Sequence, residues 1–183
     1  MFEVLLGKDA NEEFISDVLT IDEVVYPSNM RGTKKSVRDR YLKNKDSYIL
    51  IYENKDLVGY MCFFPVNANF YHEILFSDEM FDDNIKAQDI QAYDKENNLF
   101  LISVAILPSH QNGIAIKLMV ASFKDFLKEK IANGQYINSI TAVAISNAGE
   151  GLLERLNFEK IKSIEENHFL YCCTADRLER LLK

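Results

Sequence analysis

The sequence predicts an α+β domain with a mixed central sheet flanked by helices. Three observations lead there. Apolar runs of strand length ("FEVLLG", "SYILIYE", "LVGYMCFFPV", "NLFLISVAIL", "YINSITAVAI") are interleaved with segments whose apolar residues recur at helical spacing. Two of these runs are joined only at Asn54-Lys55, which reads as an antiparallel hairpin, whereas the last two are separated by a long helical pattern. The 183 residues, 48% apolar and 27% charged, suit one globular domain, and a chain of this size buries roughly 70% of its unfolded surface.

The elements follow in order. Phe2 to Gly7 is the first strand, and Phe14, Val18, Ile21 and Val25 then share one helical face. Pro27 and Gly32 break the chain, and Thr33 is placed to cap a short basic helix with Val37 and Tyr41 on its buried side. Pro65 ends the hairpin or lies on an edge. Residues 70–98 are the least regular part, with a turn or two of helix expected in "FYHEILF" and another in "DDNIKAQDIQAYD". This stretch reads as an acidic insertion, at about 68–98, covering one end of the sheet, and long segments of this kind are often functional. "NLFLISVAIL" is the clearest central strand. The helix after Gly113 carries Ile116, Met119, Val120, Phe123, Phe126 and Leu127 on one face and is closed by Gly134. A strand, a short helix in "SNAGEGLLERL", a terminal hairpin and a last helix complete one domain spanning residues 1–183.

Charge narrows the functions. The net charge of −7 is concentrated: residues 70–97 hold Glu73, Asp78, Glu79, Asp82, Asp83, Asp89, Asp94 and Glu96 against Lys86 and Lys95. The remainder is close to neutral, so no nucleic-acid partner is expected, since that affinity comes from basic residues. No apolar run approaches the ~20 residues of a membrane span. "MFEVLLGKDANEE" has no basic flank and turns acidic at once, so no secretory signal is expected. Cys62, Cys172 and Cys173 lack metal-type spacing and read as reduced thiols of a cytoplasmic protein. His72 and His168 show no ligand pattern, and no metal is expected.

The informative stretch is "ILPSHQNGIAIKLM". A strand that ends in a polar elbow and restarts as a helix offers unpaired backbone N–H groups at the positive end of the helix dipole. Gly113 permits close approach and Ala115 keeps the first turn clear, an arrangement suited to a pyrophosphate. An ordinary strand-to-helix turn would also accept these residues.

The surrounding order is similar to that of the GNAT superfamily of acyl-CoA-dependent N-acyltransferases. The resemblance covers nearly the whole chain in element order, and its specific part is residues 99–160. There a Pro-x-x-Arg/Gln-x-x-Gly-x-Gly/Ala pattern is expected, then an Asn and a Leu-Tyr-x-x-x-Gly-Phe stretch. The resemblance implies a strand splayed from its neighbour, with pantetheine pairing to its exposed backbone through Val104 and Ile106. It implies that the Ile106 N–H polarises the thioester carbonyl, and that His110, Gln111, Asn112, Gly113, Ile114 and Ala115 wrap the pyrophosphate of acetyl-CoA. Ser146 falls where the family often has Asn, with Asn147 beside it, and either can face the cofactor. The elbow is one residue shorter than the common form, so His110 or Gln111 takes the Arg/Gln place. Leu153 stands where many relatives carry a tyrosine that protonates the thiolate, and Asn157 replaces the glycine before Phe158.

Direct transfer from acetyl-CoA to an amine needs a route for the amine proton, because a lysine-like amine has a pKa of about 10.4. Glu73, Asp94 and Glu96 are the candidate bases, each also readable as a solvated loop acid, and the acidic segment as a whole favours a cationic acceptor. Tyr171 is a candidate acid, although a strand position beside Cys172 equally suits packing. A covalent route through Cys172 or Cys173 lacks a partnered histidine. The cluster Arg31, Lys34, Lys35, Arg38 and Arg40 reads as a solvated helix face or a contact for the ribose phosphate. Tyr26 and Pro27 fall where the family often forms an acceptor wall. The expected acceptor is a small-molecule or peptide amine, and the mixed sheet with its terminal hairpin leaves room for a homodimer. The alternative is an acyl-CoA-binding sensor or interaction module without catalysis.

Overall fold

The computed structural model describes residues 1–77, 85–111, 113–165 and 167–183. Its strands are β1 (Phe2–Leu6), β2 (Tyr48–Glu53), β3 (Asp56–Val66), β4 (Glu96–Ile106), β5 (Tyr136–Ala144), β6 (Glu159–Glu165) and β7 (His168–Thr174). Its helices are α1 (Phe14–Val25), α2 (Lys34–Lys43), α3 (Ala68–Phe76), α4 (Ile114–Ala132), α5 (Asn147–Arg155) and α6 (Ala175–Leu182). The strands form one seven-stranded sheet in the order β1-β2-β3-β4-β5-β7-β6. Only β4 and β5 are parallel, so the sheet is mixed.

Local chemistry fixes the joints. Asn54 and Lys55 both have positive φ, 53° and 79°, as the two central residues of a tight primed hairpin turn require. Thr33 and Ser36 form a reciprocal capping box at the start of α2. Gly134, at φ 77°, ends α4. Pro65 lies inside β3, opposite Leu99 but beyond the last β2 partner, so its missing N–H interrupts no ladder.

The insertion is more regular at its start than the sequence suggests. "FYHEILF" belongs to α3, which Asn67 caps by accepting from the Phe70 N–H at 2.9 Å. Of the second expected turn, the described residues hold a 3-10 turn at Ala87–Asp89. Ile90 then bridges to Val66, and Gln91 N–H donates to Pro65 O at 2.9 Å. Asp78, Glu79, Asp82 and Asp83 lie outside the described residues.

Both faces of the sheet are buried, which explains why β3 and β4 read as continuous apolar runs rather than alternating ones. On one face Met61, Phe63, Leu99 and Leu101 pack under Met119, Phe123, Phe126 and Leu127 of α4. On the other, Tyr48, Leu50, Phe64 and Phe100 meet Phe14, Val18 and Ile21 of α1, Val37 and Tyr41 of α2, and Phe70 of α3. Side chains clamp β4 to β5 at the Glu96 end: Asn97 Nδ2 donates to Tyr136 O at 3.0 Å, and Thr141 Oγ1 to Leu99 O at 3.2 Å. Phe63 meets the rings of Phe123 and Phe126 at 4.8 and 5.0 Å. Replacing fully buried Phe123 by alanine is therefore expected to cost about 3–5 kcal/mol, measured by urea unfolding.

Candidate active site

The pairing of β4 with β5 runs from Glu96↔Tyr136 to Leu101↔Ala142 and goes no further. Just there, β4 bulges against β3: Cys62 faces Ser103 and Phe63 faces Leu101, leaving Ile102 as the extra residue. A bulge bends and twists its strand, and the end of β4 leaves β5. Leu107 N–H donates to Val58 O on the β3 side at 2.9 Å. Because backbone groups alternate sides along a strand, those of Val104 and Ile106 face the gap. Side chains meet their carbonyls there, with Tyr26 Oη donating to Val104 O at 3.3 Å and Gln111 Nε2 to Ile106 O at 3.1 Å.

A cavity of about 550 Å³ runs through this gap. Val104, Ile106 and Gln111 line one side, and Val143, Ala144, Ser146 and Asn147 the other. It continues beneath α1 and α2 to Tyr26, Pro27, Asp22 and Arg40.

Of the two elbow residues, Gln111 turns to the cavity and His110 turns away. His110 Nε2 contacts Glu53 Oε2 at 2.9 Å, its Nδ1 contacts Ser109 Oγ at 2.8 Å, and its ring meets the edge of Phe2. Asn112 lies outside the described residues. Gly113 is the N-cap of the 19-residue α4, Ala115 is buried in its first turn, and Ile114 is 57% exposed at the helix start. Ser146 caps α5 by accepting from Gly149 N–H at 3.1 Å. Asn157 adopts φ 65°, a left-handed conformation that Asn tolerates better than most residues.

Other sequence candidates stand elsewhere. Glu73, Asp94 and Glu96 are exposed and are not among the wall residues. Glu96 begins the strand that Ile106 ends, roughly 30 Å away at ~3.3 Å per residue. Asp94 Oδ1 accepts from Lys95 N–H at 2.7 Å. Tyr171 is buried on β7, its hydroxyl donating to Glu150 Oε2 at 2.9 Å beneath α5. Cys172 and Cys173 are buried outside the cavity wall, and burial pushes the Cys173 thiol up to about 12. Leu153 is in the wall, 4% exposed, and offers no proton.

The structure brings together a group of which sequence reasoning had named only Tyr26. Tyr26 Oη lies 2.7 Å from Ser103 Oγ, Ser103 Oγ donates to Tyr60 Oη at 3.0 Å, and Tyr60 Oη donates to Asp22 Oδ1. A line of hydroxyls thus leads from the open edge of β4 to a carboxylate that is 5% exposed. Burial raises the pKa of both tyrosines, reinforced at Tyr60 by Tyr26, Cys62 and Asp22, so both hydroxyls keep their protons. Cys62, also in the wall, is pushed up to about 12 by burial, with Asp22 acting in the same direction and Arg40 against it. The overlooked signal was Asp22 itself, one turn after Val18 on the apolar face of α1.

Seven strands in this order, with one parallel pair that parts around a cavity, can be compared with known folds. No family model matches the chain, and no curated protein sequence matches it. Solved structures do. A GNAT-like decarboxylase, GphF, in complex with isobutyryl-CoA superposes with a TM-score of 0.67 at 9% identity, covering 96% of this chain and 98% of that one. The fold is a GNAT fold. The loading GNATL domain of CurA from Lyngbya majuscula gives a TM-score of 0.63 at 13% identity, over 96% and 98% of the two chains. PaiA N-acetyltransferase from Thermoplasma acidophilum, in complex with coenzyme A, gives 0.58 at 10% identity over 95% and 99%. Within the GNAT fold of this chain, the cavity, the parted strands and the elbow occupy one continuous region.

Tyr60 is the joint of the buried hydroxyl chain, because it accepts from Ser103 and donates to Asp22. Tyr60→Phe removes the donor to a buried carboxylate and is expected to cost about 1.5–3 kcal/mol, read as a lowered urea midpoint at unchanged m-value.

Proposed function

We propose that this protein is an acyl-CoA-dependent N-acyltransferase that moves an acetyl group from acetyl-CoA to a primary amine, on a small molecule or an exposed amino group. The observation that carries the reading is the cavity that passes through the β4–β5 gap and has backbone at one arm and a carboxylate-terminated hydroxyl chain at the other. The residues present fit acyl-CoA. The backbone of Val104 and Ile106 faces the gap, where an extended pantetheine arm can pair with it. Gly113 and the first turn of α4 offer N–H groups and a positive helix end for a pyrophosphate. Exposed Ile114 is then covered by ligand. The buried free thiols accord with a cytoplasmic setting.

Bound acetyl-CoA supplies the activated acyl group as a thioester. The Ile106 N–H is oriented to donate to the oxygen that gains charge as the amine attacks, a contribution worth several kcal/mol at a preorganised site. Before attack the ammonium must lose a proton. Tyr26, beside Val104, is the first acceptor; with its own hydroxyl proton directed to Ser103 rather than to Val104 O, the proton shifts through Ser103 and Tyr60 to Asp22, each hydroxyl giving up one proton as it takes another. The nitrogen–acyl bond forms, the carbon–sulfur bond breaks, and the proton displaced from nitrogen neutralises the thiolate. Leu153 supplies no acid there, which the moderate basicity of a thiolate (thiol pKa ~8.5) tolerates. That same leucine favours a second reading, an acyl-CoA-binding module that does not transfer.

Calorimetric titration with acetyl-CoA and desulfo-CoA is expected to give saturable binding, and an amine panel to give turnover. Binding without turnover on any amine would select the second reading, and no binding would overturn both. Gly113 is not required by the backbone: its φ is −102°, and an added Cβ would meet only His110 O, at 3.4 Å. Gly113→Glu is therefore expected to keep stability within about 0.5 kcal/mol while losing at least about tenfold in CoA affinity through charge repulsion. Asp22→Asn is expected to lower kcat by about 10²–10⁴-fold at unchanged CoA affinity.

A further inference from the structure

Arg40 has no part in the transfer step described above. Its neighbours on α2 behave as surface charges: Lys35 pairs with Asp39 at 2.5 Å and Arg38 with Glu12 at 2.8 Å. Arg40 instead is 7% exposed, lines the cavity, and its Nε has no hydrogen-bond partner among the described residues. A buried guanidinium is costly unless its donors are met, and an apolar residue would fill the same space more cheaply. The wall is also cut back around it. Gly32 lines the cavity, and a Cβ there would stand 3.1 Å from Arg40 Nη2 and 3.0 Å from Val37 Cγ2. Room for Val37 and the guanidinium together, rather than any left-handed backbone, accounts for this glycine.

We infer that the acceptor is a small amino acid, its amine received beside Tyr26 and Ser103 and its carboxylate by Arg40. The inference rests on the acyltransferase reading and deepens it. A planar guanidinium whose Nε–H is unpartnered matches a carboxylate in geometry and charge. Asp22 shares this arm of the cavity, so a single negative charge is favoured over the double charge of a phosphate. The ammonium is drawn by Asp22 through the hydroxyl chain and comes to rest near Val104, at the edge of the gap. Deep burial of both charged residues favours a free molecule over a protein surface.

The test compares free amino acids with their carboxamides, each at a pH giving the same ammonium fraction, with and without saturating acetyl-CoA. Binding is read by calorimetry and turnover by thiol release. Free acids are expected to bind at least about tenfold tighter than carboxamides, as hydrogen bonds to a charged partner imply. Arg40→Met is expected to erase that difference and to leave acetyl-CoA affinity unchanged. A merely structural arginine would lower Tm and leave the ratio alone. Arg40→Lys, which keeps the charge without the fork, gives an intermediate ratio and serves if the Met variant does not fold. Equal binding of acids and carboxamides overturns the inference, as does a preference that survives in Arg40→Met, or acetyl-CoA binding with no carboxylate-bearing amine bound. Failure of the acyltransferase reading is distinct: the wild type then binds no acetyl-CoA, whatever the amino acids do.

Discussion

The last rung between β4 and β5, Leu101↔Ala142, decides the character of this molecule. Before it, the two strands are joined by their ladder and by Asn97 and Thr141 side chains. After it, the bulge at Ile102 carries β4 away while β3 still supports it as far as Gly59↔Ile106. A sheet buried on both faces thus acquires a gap in its middle rather than at an edge.

The two faces contribute differently around that gap. On the α4 side the walls are apolar up to the helix start, with Leu153, Ile116 and Ala144 along the way. The α1 and α2 side is where the polarity lies, with Tyr26, Ser103, Tyr60, Asp22 and Arg40 set among packed aromatic rings. Gly59 allows this closeness, since a Cβ there would lie 2.9 Å from both Ala105 O and Ile106 Cγ1. Packing and chemistry are therefore supported by the same strands, and a change in either face is transmitted through β3 and β4.

Much of the fold was legible because its signals are local. The Asn54-Lys55 turn, the Thr33 cap, the Gly134 stop and the α4 stripe each act over a few residues. The parted strands became legible only through the resemblance carried by "ILPSHQNGIAIKLM", since a missing ladder leaves no mark in composition. At the elbow a distant residue separates the two candidates: Glu53, at the end of β2, contacts His110, while Gln111 donates to Ile106 O. Arg40, read with its neighbours as part of a solvated helix face, is instead 7% exposed and lines the cavity, and Asp22 was hidden for a different reason. A search for apolar periodicity counts the residues that fit a buried face and passes over a charged one placed among them. Glu73, Asp94 and Glu96 attracted attention by their number, but acids gather where water is, and the insertion presents these three to solvent.

The contacts that meet the carbonyls of Val104 and Ile106 have a bearing beyond ligand binding. A run of bare strand edge is a template for any other extended chain, and proteins guard such edges against self-association. Here Tyr26 and Gln111 each occupy one carbonyl of the bare segment. A foreign strand would have to dislodge both before it could pair, while a narrow ligand threading the gap can engage the remaining groups one at a time. The same two side chains thereby cover part of a bare backbone edge in the middle of the sheet.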